Sequence, residues 1–252
     1  MNLKLTISYL GTNYLGVQKT PHGNSIEEEL ERALFQILRN KVYLQFASRT
    51  DAGVHARGQI VSFFSEKQID LQKLQYSLNG ILPKDLQVES IEEVSSYFHP
   101  SLDSLSKTYS YQICNSSFQL PFKRFTSWHC PYKTIDLELL RKAAAYFIGK
   151  FDFRSFSPLD YENPLCTIEE IVSAEENQQI TITITGDRFL YKMIRTLVGT
   201  LVNLSTGKIP FNEINTILEN KQRKLAGVTA PPIGLCLEMV SFTLPLTTPL
   251  VS

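Results

Sequence analysis

Residues 178–187 read QQITITITGD. Isoleucine recurs at 180, 182 and 184 with threonine between, a strict period of two. That pattern predicts a strand with one buried face and one wet face. A preceding strand through Ile168 and Val172 stands just before it, so the two pair back as a hairpin. Antiparallel pairing of this kind recurs along the chain. Leu3, Leu5, Ile7 and Tyr9 alternate at the start, Leu86, Val88 and Ile91 sketch another strand, and Tyr109, Tyr111 and Ile113 alternate later. A strand from Leu235 to Phe242 closes the pattern.

Helices separate these strands. NSIEEELERALFQILRN (24–40) carries an N-cap at Ser25 and Glu28 three residues on, a capping box, with Ile26, Leu30, Ala33, Leu34 and Ile37 as its apolar stripe. Residues 70–78 form a short helix capped by Asp70, followed by a turn at NGILPKD (79–85). TIDLELLRKAAAYFIGK (134–150) turns Leu140, Ala143, Ala144 and Phe147 inward. RFLYKMIRTLVGTLVNL (188–204) is the longest apolar helix, and a small one lies at about 211–219. Hairpins dominate over repeating strand–helix–strand crossovers. The expected class is α+β, two α/β-sandwich-like subdomains with largely antiparallel sheets. The stretch 95–106, SSYFHPSLDSLS, is the most linker-like. It sets a boundary between an N-terminal subdomain, 1–104, and a C-terminal one, 105–252.

The 252 residues are 43% hydrophobic, enough for a sizeable core, and 20% charged, which points to a folded chain. The formal net charge is zero. Nucleic-acid binders are usually more basic, so an RNA partner requires positive charge gathered on one face, with acids such as Glu27, Glu28, Glu29 and Glu31 elsewhere. Cys114, Cys130, Cys166 and Cys236 form no C-x-x-C pair, and His22, His55, His99 and His129 are scattered singly. Reduced, packed thiols and no metal site are expected. The opening MNLKLTISYL has no signal-peptide core, and no run of about 18 apolar residues occurs. The expectation is a cytoplasmic protein away from membranes.

One loop concentrates chemistry. FASRTDAGVHARGQIVSF (46–63) runs from a strand containing Val42, Leu44 and Phe46 into one containing Ile60, Val61 and Phe63. The loop carries Arg49, Asp51, His55 and Arg57, more ionisable groups than a plain connection needs. An ionised Asp51 could attack an electrophilic sugar carbon or stabilise a developing oxocarbenium ion. It could equally cap a turn, with Arg49 as a surface ion pair. Gly53 lets the backbone fold tightly. His55 reads as a loop histidine bonded to backbone. In the long helix, Arg188, Lys192 and Arg195 fall at i, i+4 and i+7, one basic stripe, and Gly199 permits close approach. Such a stripe is usually solvated. A part-buried Arg195 would instead need an acid, and Asp51 is a suitable partner. Breaking such a pair, if fully buried, costs about 3–5 kcal/mol. Tyr109 is a core tyrosine or, at a cleft, a stacking platform or proton carrier.

Together these pieces resemble the TruA family of tRNA pseudouridine synthases. RTDAGVHARGQIVSF (49–63) is similar to the family's long signature loop. YLGTNYLGVQ (9–18), KTYSYQI (107–113), DFRSFS (152–157), GDRFLYKMIRTLVGTL (186–201) and AGVTAPPIGLCL (226–237) resemble its other hallmarks, so the likeness runs the length of the chain. The resemblance implies a pseudouridine synthase fold with the active cleft between subdomains. It implies Asp51 as the catalytic aspartate and Tyr109 as the tyrosine over the target base. Arg195 pairs with the aspartate, Leu235 is the active-site leucine, and Arg49 precedes the aspartate. The implied reaction detaches uracil from ribose, turns it, and rejoins it through C5, without metal or cofactor. The implied targets are uridines 38, 39 and 40 of the tRNA anticodon stem-loop, and the implied assembly is a homodimer with tRNA across both protomers. Arg57, Lys107, Arg188 and Lys192, with Arg49, are then candidates for RNA backbone contacts.

Five positions depart from the family pattern. Leu10 stands for an aspartate, Val17 for an aromatic, Ser48 for a glycine, and Ser101 and Cys166 for arginines. The two missing arginines bear on tRNA affinity and choice of uridine and leave the implied catalytic set intact. A non-catalytic tRNA-binding module or RNA chaperone on the same scaffold is the competing reading, motivated by the neutral charge. A metal-dependent hydrolase using Asp51 and His55 lacks further ligands.

Overall fold

The computed structural model describes residues 1–131 and 135–243; Thr134, the first residue of one stretch read as a helix, lies outside them. The described residues divide into two compact units, one from Met1–Leu105 together with those from Leu237 on, the other within Ser106–Cys236. In chain order the first contains β1 (Asn2–Tyr9), α1 (Ile26–Leu38), β2 (Gln45–Phe46), β3 (His55–Phe64), α2 (Leu71–Ile81) and β4 (Leu86–Val94). Then follow β5 (Ser104–Cys114), β6 (Trp128–His129), α3 (Leu137–Ala145), β7 (Gly149–Asp152), β8 (Leu165–Glu176), β9 (Gln179–Gly186), α4 (Met193–Ser205), α5 (Ile214–Glu219) and β10 (Leu235–Phe242).

In the first unit the strand order is β4-β1-β3-β10, with β2 added on β3. β1 is antiparallel to both neighbours, and its Leu3, Leu5 and Ile7 are wholly buried. That burial is what the alternation at the N-terminus demands. The last strand joins this unit because β10 lies beside β3, where a Cβ on Gly58 would come 2.3 Å from the Glu238 carbonyl oxygen. The capping box of α1 forms as read: Ser25 Oγ accepts the Glu28 N–H, and the Glu28 carboxylate accepts the Ser25 N–H at 3.0 Å. Asp70 caps α2 by accepting the Lys73 N–H. This helix runs on through Asn79, Gly80 and Ile81, so the turn read from 79 begins only at Leu82. Asn79 explains the extension, since its side chain bonds both the N–H and the C=O of Val88 on β4.

The strand read through Val42 and Leu44 shrinks to β2, two residues long. Its ladder is Gln45 to Ser62 and Phe46 to Val61. Val42 and Leu44 are only half-buried and Tyr43 is exposed, so their alternation has no core face to stabilise it.

In the second unit the order is β5-β9-β8-β7, all antiparallel, with β6 parallel on β5. The β8–β9 hairpin closes through Asn177 and Gln178, both at positive φ (51° and 61°), the backbone that a two-residue hairpin turn requires. Ile180, Ile182 and Ile184 are wholly buried and the threonines between them half-buried. α3 and α4 pack against each other, and Leu197, Val198 and Leu201 of α4 are wholly buried.

The basic stripe is corrected. α4 begins at Met193, and Lys192 precedes it in the left-handed region at φ 59°. Arg188 and Lys192 therefore lie outside the helix that carries Arg195. The cause is Asp187. Its carboxylate accepts the N–H groups of Thr167 at 2.7 Å and Arg188 at 2.6 Å, which ends β9 in a turn where apolar periodicity alone reads helix. No disulfide joins the four cysteines, all of which lie among the described residues. Cys166 is wholly buried, and burial pushes its thiol up to about 11, so it packs as a small apolar group. No described helix is long and apolar enough to cross a membrane.

Candidate active site

The Asp51 loop belongs to the first unit and is fixed from several directions. Val54 N–H donates to the Asp51 carbonyl at 3.1 Å, closing a tight turn with Gly53 at φ 79°. Gly53 N–H donates to the Tyr14 carbonyl, and Val17 N–H to the Thr50 carbonyl. The segment around 9–18 is thus a cradle for the loop, and its two glycines are there for closeness. A Cβ on Gly11 would lie 1.9 Å from the Val54 carbonyl oxygen, and one on Gly16 2.9 Å from that of Thr50. Gly16 also sits at φ 107°, where a side chain is strained.

Side chains complete the hold. His55 is buried at the start of β3, and its Nδ1 accepts the Gly11 N–H at 2.9 Å, the backbone bond expected of it. Nδ1 is then the unprotonated nitrogen, which sets the neutral tautomer. The Thr50 hydroxyl shares a 2.7 Å bond with the Tyr9 hydroxyl. Gln59, wholly buried, bonds both the N–H and the C=O of Ser48. Asp51 itself is half-buried, Arg49 is exposed, and exposed Arg57 lies 3.4 Å from Glu238. Tyr14, whose hydroxyl donates to Asp85 at 2.6 Å, has its phenol pushed up by burial and by that bond.

The second unit carries Tyr109, Arg195 and Leu235. Tyr109 is buried on β5, opposite Ile184, and its ring and that of Phe189 meet in a T-shaped arrangement with centroids 5.5 Å apart. Arg195 Nε donates to the Ala230 carbonyl at 2.8 Å, and Ala230 N–H donates back to the Arg195 carbonyl at 3.0 Å. From Ala230 the chain passes Pro231, whose carbonyl accepts the Tyr111 hydroxyl at 2.7 Å, and reaches buried Leu235, whose N–H closes onto Pro232. One short segment therefore ties α4, β5 and Leu235 together. Burial pushes the Tyr111 phenol up, and the Arg195 charge opposes that only in part. Gly199 and Gly227 allow the tie, since a Cβ on Gly199 would come 1.8 Å from the Val228 carbonyl oxygen.

Among the basic candidates, Lys107 and Arg188 are neighbours. Burial, and then the Arg188 charge, push the Lys107 ammonium below its ordinary range, with Asp187 opposing. Lys192 lies over the Tyr191 ring at 4.9 Å. Among the described residues, no group of three or more His, Cys, Asp or Glu is placed to hold a metal ion. The parts that residue-by-residue reading misses are the supports Tyr9, Tyr14, Gln59 and Phe189. The paired glycines of 9–18 are the one signal that the opening segment must approach another backbone closely.

A family model described as tRNA pseudouridine synthase matches residues 5–101 and 143–243. A relative from Protochlamydia amoebophila, tRNA pseudouridine synthase A 2, is 44% identical over 96% of this chain and 94% of its own. A tRNA pseudouridine synthase A from Pelobacter propionicus is 39% identical over 95% and 99%, and one from Acetivibrio thermocellus is 39% identical over 96% and 99%.

Proposed function

We propose that this chain, which belongs to the tRNA pseudouridine synthase family and is an isomerase, acts on uridines 38, 39 and 40 of the tRNA anticodon stem-loop, with Asp51 as its catalytic carboxylate. The observation that carries the assignment of Asp51 is the set of hydrogen bonds that holds its loop. The residues before and after Asp51 are bonded to the cradle, and a catalytic group needs its position set before substrate arrives. The base is isomerised outside the duplex stack, because its reacting atoms are inaccessible within it. The N1–C1′ bond breaks with its electron pair going to N1, as Asp51 either bonds C1′ or takes a ribose proton; uracil turns, C5 bonds to C1′ as the bond to Asp51 breaks or the ribose proton returns, and the C5 proton leaves to solvent while N1 gains one. Tyr109 and Leu235, both buried in the protein, supply an aromatic and an apolar surface for the extruded base. Arg49 and Arg195 complete the substrate-binding set. Arg57, Lys107, Arg188 and Lys192 contact the RNA backbone, which makes affinity fall with salt.

The working form is a homodimer in the cytoplasm with tRNA as its partner; sedimentation of the purified chain checks the dimer. The decisive test is tritium release from tRNA carrying 5-tritiated uridine. Asp51→Asn should abolish release while leaving tRNA binding nearly intact. Turnover by the Asn variant at the wild-type rate would overturn the assignment of Asp51. Binding by the wild-type chain with no release would instead favour a non-catalytic tRNA-binding module.

A further inference from the structure

We infer that Gln59 is a positioning residue for the Asp51 loop, holding its leading edge with a side chain just past the β2–β3 ladder. This rests on Asp51 being the catalytic carboxylate.

The β2–β3 ladder covers only Gln45 with Ser62 and Phe46 with Val61, and Ala47 N–H adds one bond to the Ile60 carbonyl. The next residue, Ser48, lies three before Asp51. It is met by the carboxamide of Gln59. Gln59 Oε1 accepts the Ser48 N–H at 3.2 Å, and Gln59 Nε2 donates to the Ser48 carbonyl at 2.8 Å. One amide thus supplies both bonds that a facing strand residue would give, from a side chain with no exposure to water. The site coincides with an irregularity on the opposite edge of β3. There Ile7 pairs with Gln59 but Tyr9 pairs with Ala56, so the register slips beside the loop.

The same carboxamide reaches a second point. Its Nε2 lies 3.4 Å from the Tyr9 hydroxyl, which shares a 2.7 Å bond with Thr50, the residue immediately before Asp51. Gln59 therefore touches the loop directly at Ser48 and through Tyr9 at Thr50. Oε1 also accepts the Ile60 N–H at 3.2 Å, which orients the amide. A buried amide with this many partners has one low-energy orientation, because any other leaves polar groups unpaired away from water. The clamp grips backbone atoms of Ser48 and does not depend on that side chain.

The test uses the full-length chain and single-turnover pseudouridine formation, with tRNA affinity and thermal melting measured alongside. Gln59→Leu removes both bonds to Ser48; Gln59→Glu keeps an acceptor and loses the donor. Thr50→Val is the milder variant, cutting only the link through Tyr9. If the loop shifts by about 1 Å, the rate should fall about 10²-fold in the Gln59 variants and less in Thr50→Val, with tRNA affinity within about twofold of wild type. A merely structural role would move melting and affinity without this split. A folded Gln59 variant turning over within about threefold of wild type would overturn the inference, as would an affinity loss that accounts for the whole rate loss. If neither of these Gln59 variants folds, Gln59→Asn, which draws the carboxamide back from Ser48 by one methylene, decides: a folded variant at the wild-type rate overturns the inference, and a fall at constant affinity supports it. Asp51→Asn run in parallel separates the two claims. Wild-type turnover there removes the premise and this inference with it, whereas wild-type turnover by Gln59→Leu removes this inference alone.

Discussion

Replacing Gly11 by alanine should cost activity well beyond what it costs in stability. The added Cβ would sit 1.9 Å from the Val54 carbonyl oxygen and 2.5 Å from its carbonyl carbon. Ordinary contact begins near 3.4 Å, so one of the two backbones must give way by about 1.5 Å. Neither atom is the end of a flexible side chain. Gly11 is held through its N–H to His55 Nδ1, and Val54 through its N–H to the Asp51 carbonyl. Any relief therefore either breaks the His55 bond, worth about 1 kcal/mol net, or drags the Asp51 turn. Overpacking of this kind costs about 1–3 kcal/mol in stability. Displacing a reacting group by 1 Å or more costs about 10²-fold in rate. The assay is tritium release under single-turnover conditions, with a melting curve on the same preparation. A rate reduced about 10²-fold or more is expected, with the protein still folded at 25 °C. A folded Gly11→Ala chain within about threefold of the wild-type rate would show that the cradle does not set the position of Asp51.

Lys107→Met should weaken tRNA binding and lower the slope of log affinity against log salt by about one unit, as loss of one phosphate contact does. It should also stabilise the free protein at neutral pH. Burial and Arg188 disfavour the charged ammonium, so in the wild type this cost is present wherever Lys107 is protonated. The cost falls as pH rises through the lowered folded value toward 10.5, where the unfolded chain binds the extra proton. The melting difference between variant and wild type should therefore narrow in that alkaline window. A constant difference across it would rule out Lys107 as its origin, and unchanged tRNA affinity would rule out the phosphate contact. Gly199→Ala should lower the melting temperature by about 3–10 °C, because its Cβ would come 1.8 Å from the Val228 carbonyl oxygen. It should also slow turnover, since the segment pushed away carries Ala230, the partner of Arg195; a normal rate would show that this clasp is dispensable.

What the sequence reveals and what it hides follow from how far each signal reaches along the chain. The β8–β9 hairpin, the α1 capping box and the limits of β10 are local events. Two residues at positive φ, an N-cap with its Glu three positions on, and a period of two are each complete within a few residues. The false helical start at Arg188 fails for the matching reason. Phe189 and Leu190 satisfy a helical period, but the carboxylate of Asp187 is committed to Thr167, twenty residues back, and periodicity cannot register that bond. The candidate site divides along the same line. Arg49, Asp51, His55 and Arg57 stand out because ionisable residues crowd a short loop. Gln59 does not, because a glutamine inside a strand reads as its wet face. Its side chain is instead wholly buried and bonds both the N–H and the C=O of Ser48. A polar residue can be kept in a core only if its bonds are filled, and filling them here stops the loop from sliding in register. The groups that would do chemistry are therefore visible as residue types, whereas the groups that hold them emerge only when distant backbone atoms are brought together.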